Sequence, residues 1–301
     1  MRRSKLLWLL AMVMCLGGLC LAHQAPVVFI PPTPTTPLQA RPAPTPGTPI
    51  VILTVKTAKE GQMTTSQPIT LTIVYDNHPF DARLKTGWGF ACLVETGRAR
   101  ILFDTGGDGP GLMHNLVVLG IDPRQVDSVV LSHNHDDHTG GLEALLAAAE
   151  QPVVYVPRSF LGEFKARVRQ YTQVIEVSDP VKIVEHIRTT GEMGTAIIEQ
   201  SLIIEARQGL IVITGCAHPG IVEIVEQAKT YGQVYLVLGG FHLKDKSVGE
   251  VKAVIAELKR LGVRRVAPCH CTGEEAIQQF KAEFGANFTP VGVGSVVHSE
   301  D

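Results

Sequence analysis

Between residues 69 and 106 the chain alternates short apolar runs with turn formers. ITLTIVYDN (69–77), GFACLVET (89–96) and ARILFDTG (99–106) are rich in branched and aromatic residues, which predicts three strands. Strands then alternate with helices. A strand is predicted over 127–132, a helix over 142–150, a strand over 152–157 and an amphipathic helix over 158–171. SLIIEA (201–206) and GLIVITG (209–215) predict a hairpin around Gln208 and Gly209. A helix (221–230), a strand (234–238), a long helix (248–261), a strand (263–268) and a helix (274–284) complete the pattern. Each half therefore places strands first and alternates strand with helix afterwards. That order predicts an α/β protein with two sheets face to face and helices outside, a four-layer αβ/βα sandwich.

The N-terminal fifth fits no part of this pattern. Arg2, Arg3 and Lys5 precede an uncharged run, 6–22, with a polar exit at His23, which reads as a signal peptide or an uncleaved N-terminal anchor. Residues 23–49 are dense in Pro and Thr, a composition that removes amide donors and predicts an extended linker. The folded domain is assigned to 50–301. The expected location is exported: periplasmic, extracellular or tethered, with membrane contact only through that N-terminal segment. A net charge of −2 gives no electrostatic case for nucleic acid, so a small-molecule substrate is the expected partner. Cys92, Cys216, Cys269 and Cys271 are too few for a disulfide scaffold in a domain of this length.

Candidate chemistry gathers where predicted strands end. Asp104 follows ILF, His133 follows VVLS, Cys216 and His218 follow IVITG, His242 follows VLGGF, and His270 follows RVAPC. The densest stretch is LSHNHDDHTGG (131–141), with three histidines and two aspartates in eleven residues of a chain only 19% charged. Imidazole and carboxylate are strong ligands for zinc and related divalent ions. His133 and His135, two apart, can face one ion from an extended loop. Asp137 and His138, adjacent in a tight turn, aim at a neighbouring point. Four such groups cannot all reach one ion at about 2.1 Å without severe bending, so two metal positions are predicted. Spacing alone leaves Asp136 open as an alternative carboxylate. Gly140 and Gly141 are expected to permit the turn into the following helix.

This stretch resembles the HxHxDH signature of the metallo-β-lactamase superfamily, with His133, His135, Asp137 and His138 in its positions. LFDTG resembles the motif upstream of the metal loop, which implies that Asp104 supports the ligands from behind. YDN (75–77), LFDTGG, SHNHDDHTGGL, TGCAHPGI (214–221), LGGFHL (238–243) and PCHCTG (268–273) look most like the branch named after dihydropterin ribofuranosyl-aminobenzene phosphate synthase. The resemblance implies the metallo-β-lactamase fold, two divalent ions, zinc first among them, and His270 as a ligand of the second.

Two positions depart from the superfamily pattern. Glu192, in TTGEMGTA, stands where a histidine is usual, and Cys216, in TGC, stands where a bridging aspartate is usual. His218 could restore the missing imidazole, and Cys216 could ligate as a thiolate or lie inert. Cys269 and Cys271 are read as spectators facing away from His270. His242 is read as a substrate-facing group or a weaker metal ligand, and loops 77–88 and 160–190 as the substrate walls.

The reaction expected is metal-dependent hydrolysis of an ester, phosphoester, amide or lactone, in which two ions activate a shared water. Asp137 would orient that water and His242 would donate a proton to the leaving group. The branch name implies a transferase alternative, and the altered positions Glu192 and Cys216 leave a non-catalytic metal-binding module as a third.

Overall fold

The structure is a computed structural model that describes residues 68–299. The leader, the Pro/Thr linker and the proposed domain start at residue 50 lie outside the described residues. The first seven-stranded sheet collects β1 (Thr70–Tyr75), β2 (Ala91–Glu95), β3 (Arg100–Phe103), β4 (Ser128–Val130), β5 (Val153–Pro157), β6 (Val174–Val177) and, from the far end of the chain, β13 (Val296–His298). Their order is β13-β1-β2-β3-β4-β5-β6, antiparallel as far as β3 and parallel beyond it. The second sheet holds β7 (Lys182–Val184), β8 (Ile187–Thr189), β9 (Leu202–Ala206), β10 (Gly209–Thr214), β11 (Val234–Gly240) and β12 (Arg265–Cys269). It runs β12-β11-β10-β9-β8-β7, parallel among β10 to β12 and antiparallel from β10 to β7.

Alternation within each strand explains the layering. Leu71, Ile73, Cys92, Val94, Ile101 and Phe103 point inward and meet Ile204, Ile211, Ile213, Leu236 and Leu238 of the facing sheet. The residues between them point outward. Val74, Leu93, Leu102, Val129 and Val154 pack beneath α1 (Gly109–Val118), α3 (Leu142–Ala148) and α4 (Gly162–Val168). On the opposite side Ile203, Val212, Val237 and Val266 pack beneath α5 (Ile221–Lys229), α6 (Val248–Arg260) and α7 (Glu274–Phe284). Sheets covered on both faces need nearly continuous apolar strands, which is why these runs carry so few charges. The predicted αβ/βα sandwich is the observed fold.

Local differences have physical reasons. The helix predicted over 158–171 is confined to α4, and the segment expected to be a substrate loop, 160–190, contains α4 and strands β6, β7 and β8. Those strands are three or four residues long and partly exposed, too short for a period-2 pattern to register. α1 also lies in a stretch without clear periodicity. It starts because the Asp108 carboxylate accepts from the Gly111 amide and Pro110 sits in the first turn. α6 is stopped from fraying by a capping box between Ser247 and Glu250.

Candidate metal centre

The loops leaving β3, β4, β10, β11 and β12 converge at one rim of the sandwich. They bring together two ligand groups, His133 with His135 and His218, and Asp137 with His138, Cys216 and His270. Within each group the ligand atoms lie within 4.8 Å of one another. Four non-glycine residues of these loops, Asp104, Ala217, His242 and His270, have φ between 50° and 58°. Left-handed backbone is costly for residues with a Cβ, and its concentration here marks loops shaped for a site rather than for ease of folding.

The hydrogen bonds fix which atom each ring presents. Ser132 Oγ donates to Asp104 Oδ2 at 2.7 Å, so towards His133 Nδ1, 2.9 Å away, it can only accept. His133 therefore turns a bare Nε2 outward, 3.0 Å from His135 Nδ1. His218 Nδ1 donates to Glu199 Oε2 at 2.9 Å, which frees its Nε2. His138 Nδ1 donates to Asp104 Oδ2 at 2.7 Å and points Nε2 at Cys216 Sγ, 3.2 Å away. His270 Nδ1 donates to Asn77 Oδ1 at 2.9 Å, while its Nε2 is buried with no hydrogen-bond partner. Asp137 Oδ2 lies 3.3 Å from that Nε2 and 3.6 Å from His138 Nε2.

These separations suit a divalent ion. Ligands about 2.1 Å from a tetrahedral ion stand about 3.4 Å apart, close to the 3.0–3.6 Å separations among the candidate ligand atoms named above. The orphaned buried Nε2 of His270 is costly unless a cation lies beside it. The imidazole, carboxylate and thiol donor set is one zinc accepts. The residues present therefore fit divalent metal binding.

Electrostatics separates the two groups. Burial, reinforced by neighbouring imidazoles, pushes His133 down to about 2 and lowers His135, so both rings are neutral at neutral pH, the form a metal ion would need. For His138 burial acts downward, but the Asp104 carboxylate outweighs it and raises the group to about 9. Burial raises Asp104 itself against the pull of His138. Because Asp104 already accepts two Ser132 protons, we place the shared proton on His138 Nδ1. An ion at the second position must displace the remaining proton from His138 Nε2. Burial would raise Asp137, yet His270 and His138 hold it below the usual carboxylate range.

Several contacts were invisible in the sequence. Glu199 is buried, and its carboxylate accepts from the amides of Cys216, Ala217 and His218 as well as from the His218 ring. It precedes β9 without any spacing that links it to the TGCAH turn. Burial acts against its ionisation, but the His218 ring, the nearby His133 ring and the amides hold it down at about 2. Replacing Glu199 with Gln is expected to weaken metal binding about 10- to 100-fold, measured by competition with a chromophoric chelator. The same change should flatten the acid limb of the stability curve. A carboxylate depressed on folding contributes its stability above about 4.5, and loses it as pH falls through about 2.

Cys271 is not a spectator. Its thiol lies against the Cys216 carbonyl at 3.6 Å, and its hydrogen bond to His242 is the main cause raising that histidine. The short helical turn after β12, His270–Thr272, swings the chain so that residues 269 and 271 do not share a direction. Cys269 is buried on the other side, beside Asp76. His242 is exposed, its ring 4.5 Å from that of His218, and it forms a further candidate group with Cys216 and His218. Glu192 stands outside these groups, and its carboxylate accepts from the Ser159 amide instead. Asp136 belongs to none of them either. Gly140 and Gly141 form the turn into α3 as expected, but not because of a positive φ. Both have ordinary helical φ, but a Cβ at either would sit 2.1–2.2 Å from the Gly107 or Thr105 carbonyl oxygen, so close packing of the metal loop on the β3 loop excludes a side chain.

Paired ligand groups at the rim of a four-layer αβ/βα sandwich define the class of protein. The chain belongs to the metallo-β-lactamase superfamily, whose family model matches residues 89–228. It is 31% identical to a 7,8-dihydropterin-6-methyl-4-(β-D-ribofuranosyl)-aminobenzene-5'-phosphate synthase of Methanocaldococcus jannaschii, across 73% of this chain and 92% of the relative. Among solved structures it is similar to Tm1679, a metal-dependent hydrolase of the β-lactamase superfamily, with a TM-score of 0.65 and 27% identity over 76% of this chain and 98% of that one. The metallo-β-lactamase fold protein YhfI from Bacillus subtilis shares the fold, with a TM-score of 0.59 and 16% identity over 77% of this chain and 99% of that one.

Proposed function

We propose that this chain is a dinuclear metal-dependent hydrolase, zinc being the first choice of ion, acting on an ester, phosphoester, amide or lactone. The observation that carries the reading is the convergence of ring nitrogens whose opposite nitrogens are tied to Ser132, Glu199, Asp104 and Asn77, with the buried Nε2 of His270 left without a hydrogen-bond partner. His133, His135 and His218 would hold one ion, and Asp137, His138, Cys216 and His270 the other. Ions held there would activate water and polarise the substrate oxygen. Asp137, kept ionised by His270 and His138, can also accept a proton from that water and orient it. His242 faces solvent and is raised by Cys271, which suits it to protonate a leaving group. The apolar leader and the Pro/Thr linker support an exported setting for this chemistry.

The test is metal analysis of the purified full-length chain joined to a screen of generic esters, phosphodiesters and lactones. Metal-dependent turnover of one class is expected, and metal-free protein with an unchanged fold would sink the proposal. The identity to the synthase relative favours a second reading, a group transfer with a diphosphate leaving group. Absence of hydrolysis together with metal-dependent consumption of a pterin diphosphate would favour it.

A further inference from the structure

Trp88 is a large apolar side chain left 49% exposed, and the backbone around it is tightly held. Gly89 has φ +143°, and a Cβ there would lie 2.3 Å from the Asp137 carbonyl oxygen, while the Phe90 amide donates to that same carbonyl. The tryptophan is thus displayed from backbone that packs directly on the metal loop. Its ring lies 4.8 Å from the His270 ring, inclined by 50°. An aromatic ring that the core does not need, fixed beside a ligand, is suited to receive a planar group.

Lys244 supplies the other half. Its amide donates to the Cys271 carbonyl, and its ammonium rests 4.9 Å from the Trp88 ring centroid. Among the described residues that ammonium makes no ion pair, whereas neighbouring Lys246 is paired with Glu250. Trp88, His242, Lys244, Asp245, Lys246 and Cys271 line a cavity of about 400 Å³. A space of that size takes a small ring with an acidic substituent. An anion reaching the ammonium would draw it off the ring and leave the indole face to the substrate.

We infer that Trp88 and Lys244 form a recognition subsite for a planar, anionic ester, with Trp88 stacking on the ring and Lys244 pairing with the charge. The inference rests on the hydrolytic reading for the word ester, but the subsite itself is tested by binding.

The probe is phenylphosphonate, which cannot be hydrolysed, with methylphosphonate lacking the ring and benzyl alcohol lacking the charge. Each is titrated calorimetrically into the metal-loaded full-length chain. Phenylphosphonate is expected to bind about tenfold more tightly than methylphosphonate. That preference should fall to about one in Trp88→Ala and return in part in Trp88→Phe. Lys244→Gln should weaken phenylphosphonate about tenfold. Trp88 is one of two tryptophans in the chain, the other being Trp8, so saturable quenching that is lost in Trp88→Phe gives an independent readout. Metal content and thermal midpoint of each variant separate loss of the subsite from loss of the fold. Equal binding of the two phosphonates, or an unchanged affinity in both Trp88→Ala and Lys244→Gln, would overturn the inference even if hydrolysis proceeds. Ring-selective, Lys244-dependent binding without any hydrolysis would leave the subsite standing and remove the hydrolytic reading alone.

Discussion

His138→Ala is expected to release one of two metal ions and to lower hydrolytic turnover by roughly 10³-fold or more. This ring is fully buried and links the two halves of the site: Nδ1 donates to Asp104, and Nε2 faces Cys216 and Asp137. Alanine removes the ligand and also leaves Asp104 without its cationic partner. The first group, His133, His135 and His218, does not depend on that ring for its own tautomers, which Ser132 and Glu199 set. One ion should therefore remain. At about 1.4 kcal/mol per decade, the loss corresponds to about 4 kcal/mol of transition-state stabilisation. His114, on α1, provides the control, since its ring pairs with the Arg83 carbonyl and belongs to none of the ligand groups. His114→Ala should retain both ions and full turnover. Metal content by mass spectrometry and steady-state rates on the best substrate of the screen check both statements.

Asp104→Ala should be the most destabilising change behind the ligands, costing roughly 3–5 kcal/mol. The carboxylate is wholly buried and accepts from the Ser132 amide, the Ser132 hydroxyl and His138 Nδ1. Its removal strands three donors where water does not replace it, and a histidine charge loses its counterion. Asp104→Asn separates these effects. The amide keeps the volume but brings two donors of its own into a ring of donors, so His138 would lose the acceptor that fixes its tautomer. Chemical denaturation should show a large loss for Ala. Asn should show a smaller loss of stability but a comparable loss of metal affinity. Equal stability of wild type and Asp104→Ala would contradict this placement of the buried charge.

The sequence made some of this legible because the information is local. His133, His135, Asp137 and His138 lie within one loop, so their spacing alone predicts two neighbouring metal positions. Strands β1 to β3 and β9 to β12 were readable because burial on both faces leaves uninterrupted apolar runs. Glu199, Asn77 and Cys271 were not, because each acts on a partner set by folding: Glu199 on the turn at 216–218, Asn77 on His270, and Cys271 on Cys216 and His242. No periodicity records a contact between residues 77 and 270. Trp88 closes the loop 77–88 expected to wall the substrate, but its exposure is visible only once the backbone is seen turning the ring outward. The glycines after the HxHxDH run form the expected turn into α3, but the close approach of the β3 loop that excludes a side chain there could not be read from them.

Zinc titration of the metal-stripped, full-length chain, read as ions bound per chain at the end point, tests the central claim most directly. Two equivalents are predicted for the wild type, with one in His138→Ala. A wild-type end point of zero, or two equivalents retained when His138 is replaced, would contradict the dinuclear centre.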